Sequence, residues 1–252
     1  MITTDSLFFR FTFYLLPWVT YIVFVLGMVF QIKKWIGGAP SVTVYKSEGR
    51  IKRTIKELLL YLIVQRKLLR ANSSSIILWI TCWLIFHIPL FFILFGHLRA
   101  FGVWSVDWFT WLVSRGFLVD TLPFAMGIIV LSGVILLTLR RIVFANPRAI
   151  STPQNYTVLL LLIMVLAAGI VMRVLPHSPE TSLVIPPGIT MTLEHTPSLV
   201  WFTIHALIAQ IIVMYVPFSG LIHIISGIIT TISCARGEYY DKGKARRAVP
   251  SK

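Results

Sequence analysis

The chain has 252 residues, of which 57% are hydrophobic, and its formal net charge is +14. Soluble domains are about 45–50% apolar, so this composition and the long uncharged runs exclude an ordinary soluble domain and indicate a polytopic membrane protein. The positive charge is concentrated in a few connections, which does not favour nucleic-acid binding. We expect a single membrane domain over residues 1–252.

Five apolar segments predict five transmembrane helices, and the fold class is therefore an all-α membrane protein with a five-helix bundle. Their approximate bounds are 11–32, 76–98, 118–139, 156–174 and 199–232. The first segment is long enough to span a bilayer and no small-residue cleavage motif follows it, so we expect it to remain as a membrane anchor.

The connection over residues 41–74 is basic and predicts an amphipathic helix. In the stretch IKRTIKELLLYLIVQRKLL, Ile51, Ile55 and Leu59 share one stripe, and Lys52 and Lys56 lie off it. This pattern is typical of a helix that lies on the membrane surface or packs against a partner subunit, and the sequence leaves both interpretations open.

Two other connections have a different composition. Residues 99–119 are rich in aromatic side chains, including Trp104 and Trp108, which are typical of a membrane interface. Residues 175–198 contain five prolines and predict a loop.

The distribution of Lys and Arg predicts the orientation in the membrane. Residues 31–74 hold ten, residues 140–156 hold three and the tail over residues 234–252 holds six, which is nineteen of the 23. The opposite side has only Arg10, Arg99, Arg115 and Arg173. Because cytoplasmic loops are rich in Lys and Arg, we expect the N-terminus outside and the C-terminus in the cytoplasm.

Four histidines fall within predicted membrane helices. His87 and His97 lie on the second helix, and His205 and His223 lie on the fifth. An imidazole in hydrocarbon is costly and indicates a functional site. His205 and His223 are 18 residues apart, about five helical turns, so they share one helix face about 27 Å apart.

The predicted topology pairs these histidines by depth. His97 and His205 lie near the outer surface, and His87 and His223 lie nearer the cytoplasm. Neutral imidazole suits iron, and a haem accepts one on each axial face, so two stacked bis-histidine sites indicate a transmembrane cytochrome b.

The spacing within the two helices is unequal. His87 and His97 are about 15 Å apart along a helix, against about 27 Å for the other two, and straight parallel helices cannot hold two equivalent sites. We therefore expect Pro217 to kink the fifth helix and Pro89 to bend the second.

Other interpretations use the same histidines differently. A proton-coupled transporter would use them as a relay, and a structural anchor would use them to join helices; both predict a protein without haem. A zinc site would need four ligands at one depth. The remaining histidines, His177 and His195, lie in the predicted loop, and Cys82 and Cys234 fit no metal-ligand spacing.

Three stretches resemble a known family. They are FHIPLFFILFGHLRAF on the second helix, RRIVFANPRAIS after the third, and IHALIAQIIVMYVPFSGLIHIIS on the fifth. The chain resembles the membrane cytochrome b of the respiratory nitrate reductase gamma family. Within it, the long amphipathic connection, HLRAF and GIVMR favour the DsrM/HdrE-type subunits of heterodisulfide-reductase-like complexes.

The resemblance implies two haem b groups, an outer one ligated by His97 and His205 and an inner one ligated by His87 and His223. It implies oxidation of a membrane quinol such as menaquinol in a prokaryotic cell membrane. Electrons would pass to a cytoplasmic iron–sulfur subunit of a heterodisulfide-reductase-like complex, or, as the alternative, to the partners of a respiratory nitrate reductase.

A quinol site is also implied near the outer haem. Family members use a lysine after the second helix, and Arg115 is the nearest counterpart here. Gly96 matches the small residue before the outer ligand, where the absence of a side chain lets a ring approach. Arg99 is a candidate partner for a haem propionate or a quinone carbonyl, or a snorkelling arginine.

Overall fold

The structure is a computed structural model that describes residues 6–36, 50–60, 75–100, 121–175, 181–185, 189–193, 198–223 and 225–229. Within these residues, five helices are long and apolar enough to cross a membrane. In chain order, the first to fifth spans are Leu7–Trp35, Ile76–Leu98, Leu122–Val143, Pro153–Val174 and Leu199–Phe218. The predicted five-helix bundle is confirmed.

The spans pack in a simple order. The second packs on the third, the third on the fourth and the fourth on the fifth, and the first packs on the fifth. One buried cluster joins the second, third and fourth spans through Phe86, Val130, Val134 and Leu166. Within the described spans, the second and fifth do not pack closely on each other, although His87 and His97 lie on the second, His205 lies on the fifth and His223 follows it.

The outer surface of the bundle is apolar. Large side chains such as Leu26 and Phe30 on the first span and Leu160 on the fourth are exposed. An apolar surface on five helices of membrane-spanning length is stable only in lipid. The chain is a multi-pass membrane protein.

A short hairpin lies between the fourth and fifth spans, where the sequence predicts a loop. Strands β1, Thr181–Ile185, and β2, Ile189–Leu193, pair antiparallel, with Ile185 opposite Ile189. The residues between the strands are Pro186, Pro187 and Gly188, types that favour a turn. The all-α prediction therefore holds for the membrane spans, and the hairpin is an addition to it.

The fifth span departs most from its prediction, because it is not one continuous helix. The α-helix Leu199–Tyr215 is followed by a 3-10 turn, Val216–Phe218, and by Ser219 in an extended conformation. A second 3-10 turn, Gly220–Ile222, then leads into His223. Pro217 lacks the N–H that would continue the helix, which explains an interruption at this point and confirms the predicted kink.

The third span ends later than predicted. It continues to Val143, so Arg140 and Arg141 form its last turn instead of following it. Cations at a helix C-terminus are favourable, and long arginine side chains reach out of an apolar environment. Arg141 donates from Nη1 to Ser151 Oγ at 2.7 Å, which connects this turn to the start of the fourth span.

The connection before the second span contains the predicted amphipathic helix. It covers Arg50–Leu59, with Ile51, Ile55 and Leu59 exposed. Lys52 and Lys56 are also exposed. The rest of the predicted amphipathic stretch, residues 61–74, lies outside the described residues, and whether the helix meets lipid or a partner subunit stays open.

A polar contact joins the first and fifth spans. The first span contains a π-helix, Phe11–Leu15, in which the Leu16 N–H donates to the Phe11 carbonyl. By the same spacing, the Thr12 carbonyl would pair with residue 17, but Pro17 has no N–H. Gln210 Nε2 donates to that carbonyl at 2.9 Å instead, and Gln210 Oε1 accepts from Thr20 Oγ1 at 3.3 Å.

We expect Gln210→Leu to lower the free energy of unfolding by about 1–2 kcal/mol, because it leaves the Thr12 carbonyl without its donor in an apolar environment. Unfolding of the purified protein in mixed micelles measures this change. Ser132→Ala is the control, since Ser132 Oγ donates only within its own helix, to Ile128 O. Equal stability of both variants would contradict a bridging role for Gln210.

Candidate functional site

The structure brings together the two histidine pairs that the sequence predicts. The ring centroids of His97 and His205 lie 6.1 Å apart, with an angle of 15° between the ring planes. Those of His87 and His223 lie 6.0 Å apart, with an angle of 88°. His205 lies on the fifth span and His223 shortly after it, so each pair joins the second span to this part of the chain. The backbones of the second and fifth spans do not pack closely on each other.

All four rings are oriented by a hydrogen bond from Nδ1 to a backbone carbonyl. The acceptors are Cys82 O for His87 at 2.6 Å, Ile93 O for His97 at 2.7 Å, Val165 O for His205 at 2.9 Å, and Gly220 O for His223 at 2.7 Å. A carbonyl oxygen accepts only, so Nδ1 carries the proton. The lone pair of each neutral ring is therefore on Nε2, the nitrogen that can bind a metal.

A π-helix positions His87. The second span is wound as a π-helix over Ile80–His87, and the Ile88 N–H donates to the Trp83 carbonyl. Pro89 follows, and because it has no N–H, the α-helical pairing to Ile85 cannot form. The wider π-helical turn directs the His87 ring back to the carbonyl of Cys82, five residues earlier.

Aromatic side chains surround His87. The centroid of its ring lies 4.8 Å from that of Phe86, 5.8 Å from Trp83 and 6.3 Å from Phe91. These contacts restrict the rotation of the ring and make its surroundings apolar.

The fourth span holds His205. Its Val165 carbonyl accepts the ring proton, and Gly169, one turn later, lies against the ring. A Cβ at Gly169 would lie 3.2 Å from His205 Cε1 and 3.4 Å from its Nδ1. The glycine therefore leaves room for the close approach of the ring to this span, and a Cβ here would make a tight contact with it.

The donor sets fit haem better than an isolated metal ion. Among the residues that the structure describes, no group of three or more His, Cys, Asp or Glu side chains could hold a metal ion. A structural zinc site needs four protein ligands, whereas haem iron takes two axial ligands from the protein and four from the porphyrin. Two imidazoles bound through Nε2 to one metal, with bonds of about 2 Å, have centroids about 6 Å apart, as in both pairs.

The predicted quinol-site residues are only partly described. Gly96 is exposed, and a Cβ built on it would meet nothing within 4 Å. Arg99 lies in the helix Ile88–Ala100, but its side chain is outside the described residues, as is Arg115. The loop histidines His177 and His195 also lie outside them.

Sequence reasoning missed the residues that support the histidines. Gly169 lies against the His205 ring, and Gln31 and Gln154 pair with carbonyls between His205 and His223. Gln210 lies on the helix that carries His205 and joins it to the first span. The glutamines gave a signal, since amide side chains in apolar spans usually hydrogen-bond between helices. The carbonyl that each amide pairs with depends on where the helices are interrupted, which requires the structure.

Comparison with known proteins identifies the family. The family described as "nitrate reductase gamma subunit" matches residues 70–233 of this chain, a range that includes all four histidines. The chain belongs to the nitrate reductase gamma subunit family. The match begins after the amphipathic helix Arg50–Leu59, so that helix lies outside the part that defines the family.

Two archaeal relatives indicate a branch within the family. The "Hdr-like menaquinol oxidoreductase cytochrome b-like subunit" of Archaeoglobus fulgidus is 24% identical over 251 residues, covering 83% of this chain and 74% of the relative. The protein of the same description from Archaeoglobus profundus is 24% identical over 254 residues, covering 84% and 74%. This family member is thus similar to cytochrome b-like subunits of menaquinol oxidoreductases, as the resemblance in the sequence predicts.

We expect Gly169→Ala to displace the His205 ring by a few tenths of an ångström and to weaken its hydrogen bond to Val165 O, because the added methyl group occupies the space of the ring. In protein supplied with haem, the ferric low-spin electron paramagnetic resonance (EPR) signal of this pair should shift. Gly127→Ala is the matched control, since its Cβ would make an ordinary contact of 3.5 Å with Ile170. Identical spectra for both variants would contradict the steric role of Gly169.

Proposed function

We propose that this chain is the dihaem cytochrome b subunit of a complex that oxidises a membrane quinol and delivers the electrons to a cytoplasmic iron–sulfur subunit. One observation carries the proposal. Two histidine pairs have ring centroids about 6 Å apart, and every ring donates Nδ1–H to a backbone carbonyl. The membership of the family and the two menaquinol oxidoreductase relatives support the same function.

In this proposal His97 and His205 would hold one haem b, and His87 and His223 would hold the other. When bound, the haems supply two one-electron carriers at different depths of the bilayer. The histidines hold them through Nε2, and the carbonyl bonds at Nδ1 fix ring orientation and raise the basicity of the ligand. The exposed apolar surface of the spans keeps the pairs within lipid.

The proposed orientation of the chain in the membrane follows from the distribution of Lys and Arg. The connections that contain most of the Lys and Arg would face the cytoplasm, so His97 and His205 form the outer pair and His87 and His223 the inner pair. Oxidation of quinol at the outer pair would release protons outside while electrons move inward. The N-terminus is then outside, and the basic tail over residues 234–252 is cytoplasmic.

The quinol would bind beside the outer pair. His97 is exposed, and the neighbouring Gly96 leaves open space where another residue would present a side chain. Arg99 and Arg115 are the proposed polar partners of the quinol ring. The substrate is menaquinol-like, on the basis of the substrate that the names of the two relatives give.

The partner is a cytoplasmic iron–sulfur subunit of a heterodisulfide-reductase-like complex, in line with the "Hdr-like" description of the relatives. The basic connection over residues 41–74 and the tail over residues 234–252 are the proposed docking surfaces, since both would face the cytoplasm. The second candidate is the gamma subunit of a respiratory nitrate reductase, which the family description favours. Purification of the complex with its native partners separates the two.

We expect the purified chain to contain two b-type haems, and His97→Ala or His205→Ala to remove only one of them, because each variant deletes one axial ligand of one pair. His87→Ala or His223→Ala should remove the other. Pyridine haemochrome counting and reduced-minus-oxidised spectra measure the loss. A folded protein without a Soret band, grown with haem available, would refute the proposal and favour the transporter or anchor interpretation.

A further inference from the structure

The interruption of the fifth span lies between its two histidines and uses Ser219 as its turning point. The N–H of Leu221 donates to Ser219 Oγ, and the N–H of Ile222 donates to Ser219 O, each at 3.3 Å. In a continuous α-helix these two N–H groups would pair with the carbonyls of Pro217 and Phe218. The interruption therefore frees both carbonyls from helical pairing at the end of the fifth span.

Two glutamines from other spans pair with these carbonyls. Gln31 Nε2, on the first span, donates to Pro217 O at 2.7 Å. Gln154 Nε2, in the first turn of the fourth span, donates to Phe218 O. A freed carbonyl in an apolar environment is costly without a donor, so the two amides stabilise the interrupted conformation over a continuous helix.

Gly27 brings the first span into contact with the interruption. A Cβ on Gly27 would lie 2.7 Å from Pro217 Cβ and 2.8 Å from Phe218 Cζ. Real Cβ atoms essentially never approach another heavy atom this closely. The rigid proline ring cannot move away as a flexible side chain would, so a larger residue at position 27 would displace the segment.

The position of His223 depends on this segment. His223 directly follows the turn Gly220–Ile222, and its Nδ1 donates to Gly220 O. A continuous helix would put His223 about 27 Å from His205, although the partners on the second span are only about 15 Å apart. The interruption breaks the straight course of the helix before His223, and His223 meets His87 at 6.0 Å between ring centroids.

We propose that Gln31 and Gln154, together with Gly27, are positioning residues that hold the interrupted segment so that His223 faces His87. The inference rests on the proposed function, because it assigns these residues to the geometry of the proposed inner haem site. They act through the backbone of Pro217 and Phe218 and do not touch the cofactor themselves.

A purely structural role would have a different consequence. Amides that only join helices would lower stability when removed, without altering one histidine pair more than the other. A positioning role predicts a selective change at His87 and His223, with His97 and His205 unaffected. The spectroscopic signature and midpoint potential of each haem therefore distinguish the two roles.

The test compares Gln31→Leu, Gln154→Leu, the double variant and Gly27→Ala with the wild-type chain, all purified in detergent with haem. Redox titration and EPR of the ferric low-spin signals are recorded, and His223→Ala identifies the signal of the inner pair. Thr157→Val is the matched control, since Thr157 lies one turn from Gln154 but donates only within its own helix, to Pro153 O.

We expect the double variant and Gly27→Ala to shift or lose the signal and potential of the inner pair, with the outer pair and the Thr157→Val control unchanged. Hydrogen exchange of the backbone over residues 216–223 should also increase in the double variant prepared without haem. If the single variants, the double variant and Gly27→Ala all give wild-type signals, the inference is overturned while the proposed function stands. A wild-type chain without haem would overturn the proposed function, and the inference with it.

Where the double variant does not fold, the single variants and Gly27→Ala decide the question. Gly27→Ala removes no hydrogen-bonding side chain, so a selective change in its inner signal supports positioning by contact. Equal changes at both pairs in these variants would overturn the inference in favour of a general structural role.

Discussion

Hydrocarbon offers no hydrogen-bonding partner, so every backbone carbonyl that leaves the helical pattern inside the bilayer must find a donor within the protein. This constraint connects the irregular features of the bundle. The freed carbonyl of Thr12 accepts from Gln210, and those of Pro217 and Phe218 accept from Gln31 and Gln154. The histidines also pair with backbone carbonyls. Each ring donates its Nδ1 proton to a carbonyl oxygen, which leaves the Nε2 lone pair available to a metal.

The irregular turns of the bundle depend on prolines together with the glutamine side chains that donate hydrogen bonds to the freed carbonyls. Pro17 and Pro89 each accompany a π-helix, and Pro217 accompanies the interruption of the fifth span. A proline has no backbone N–H, so one carbonyl loses its helical partner. That carbonyl then accepts from a side chain, or the helix adopts a wider π-helical turn. The irregular turns fall near the histidines and the glutamines, where the two histidine-bearing segments must be brought into register. A straight regular helix would place His205 and His223 about 27 Å apart, against about 15 Å for their partners on the second span.

The two histidine pairs have different surroundings, which is relevant to their proposed roles. His87 is enclosed by Trp83, Phe86 and Phe91, and its pair meets at nearly a right angle. His97 is exposed, and its ring is nearly parallel to that of His205. An exposed outer ligand beside Gly96 suits access from the lipid phase. His223 is also exposed, so each pair combines one exposed ring with one partly buried ring, His205 or His87.

The sequence by itself determined the five spans and which histidines of the second span meet which partners near the fifth, because hydropathy and residue spacing depend on local composition and helical repeat. It also predicted a kink at Pro217, but it treated residues 199–232 as one helix. Only the tertiary structure decided where that helix is interrupted, which carbonyls are freed and which amides pair with them. Those choices depend on contacts between residues far apart in the chain, such as Gln31 with Pro217, and local sequence patterns contain no information about such contacts.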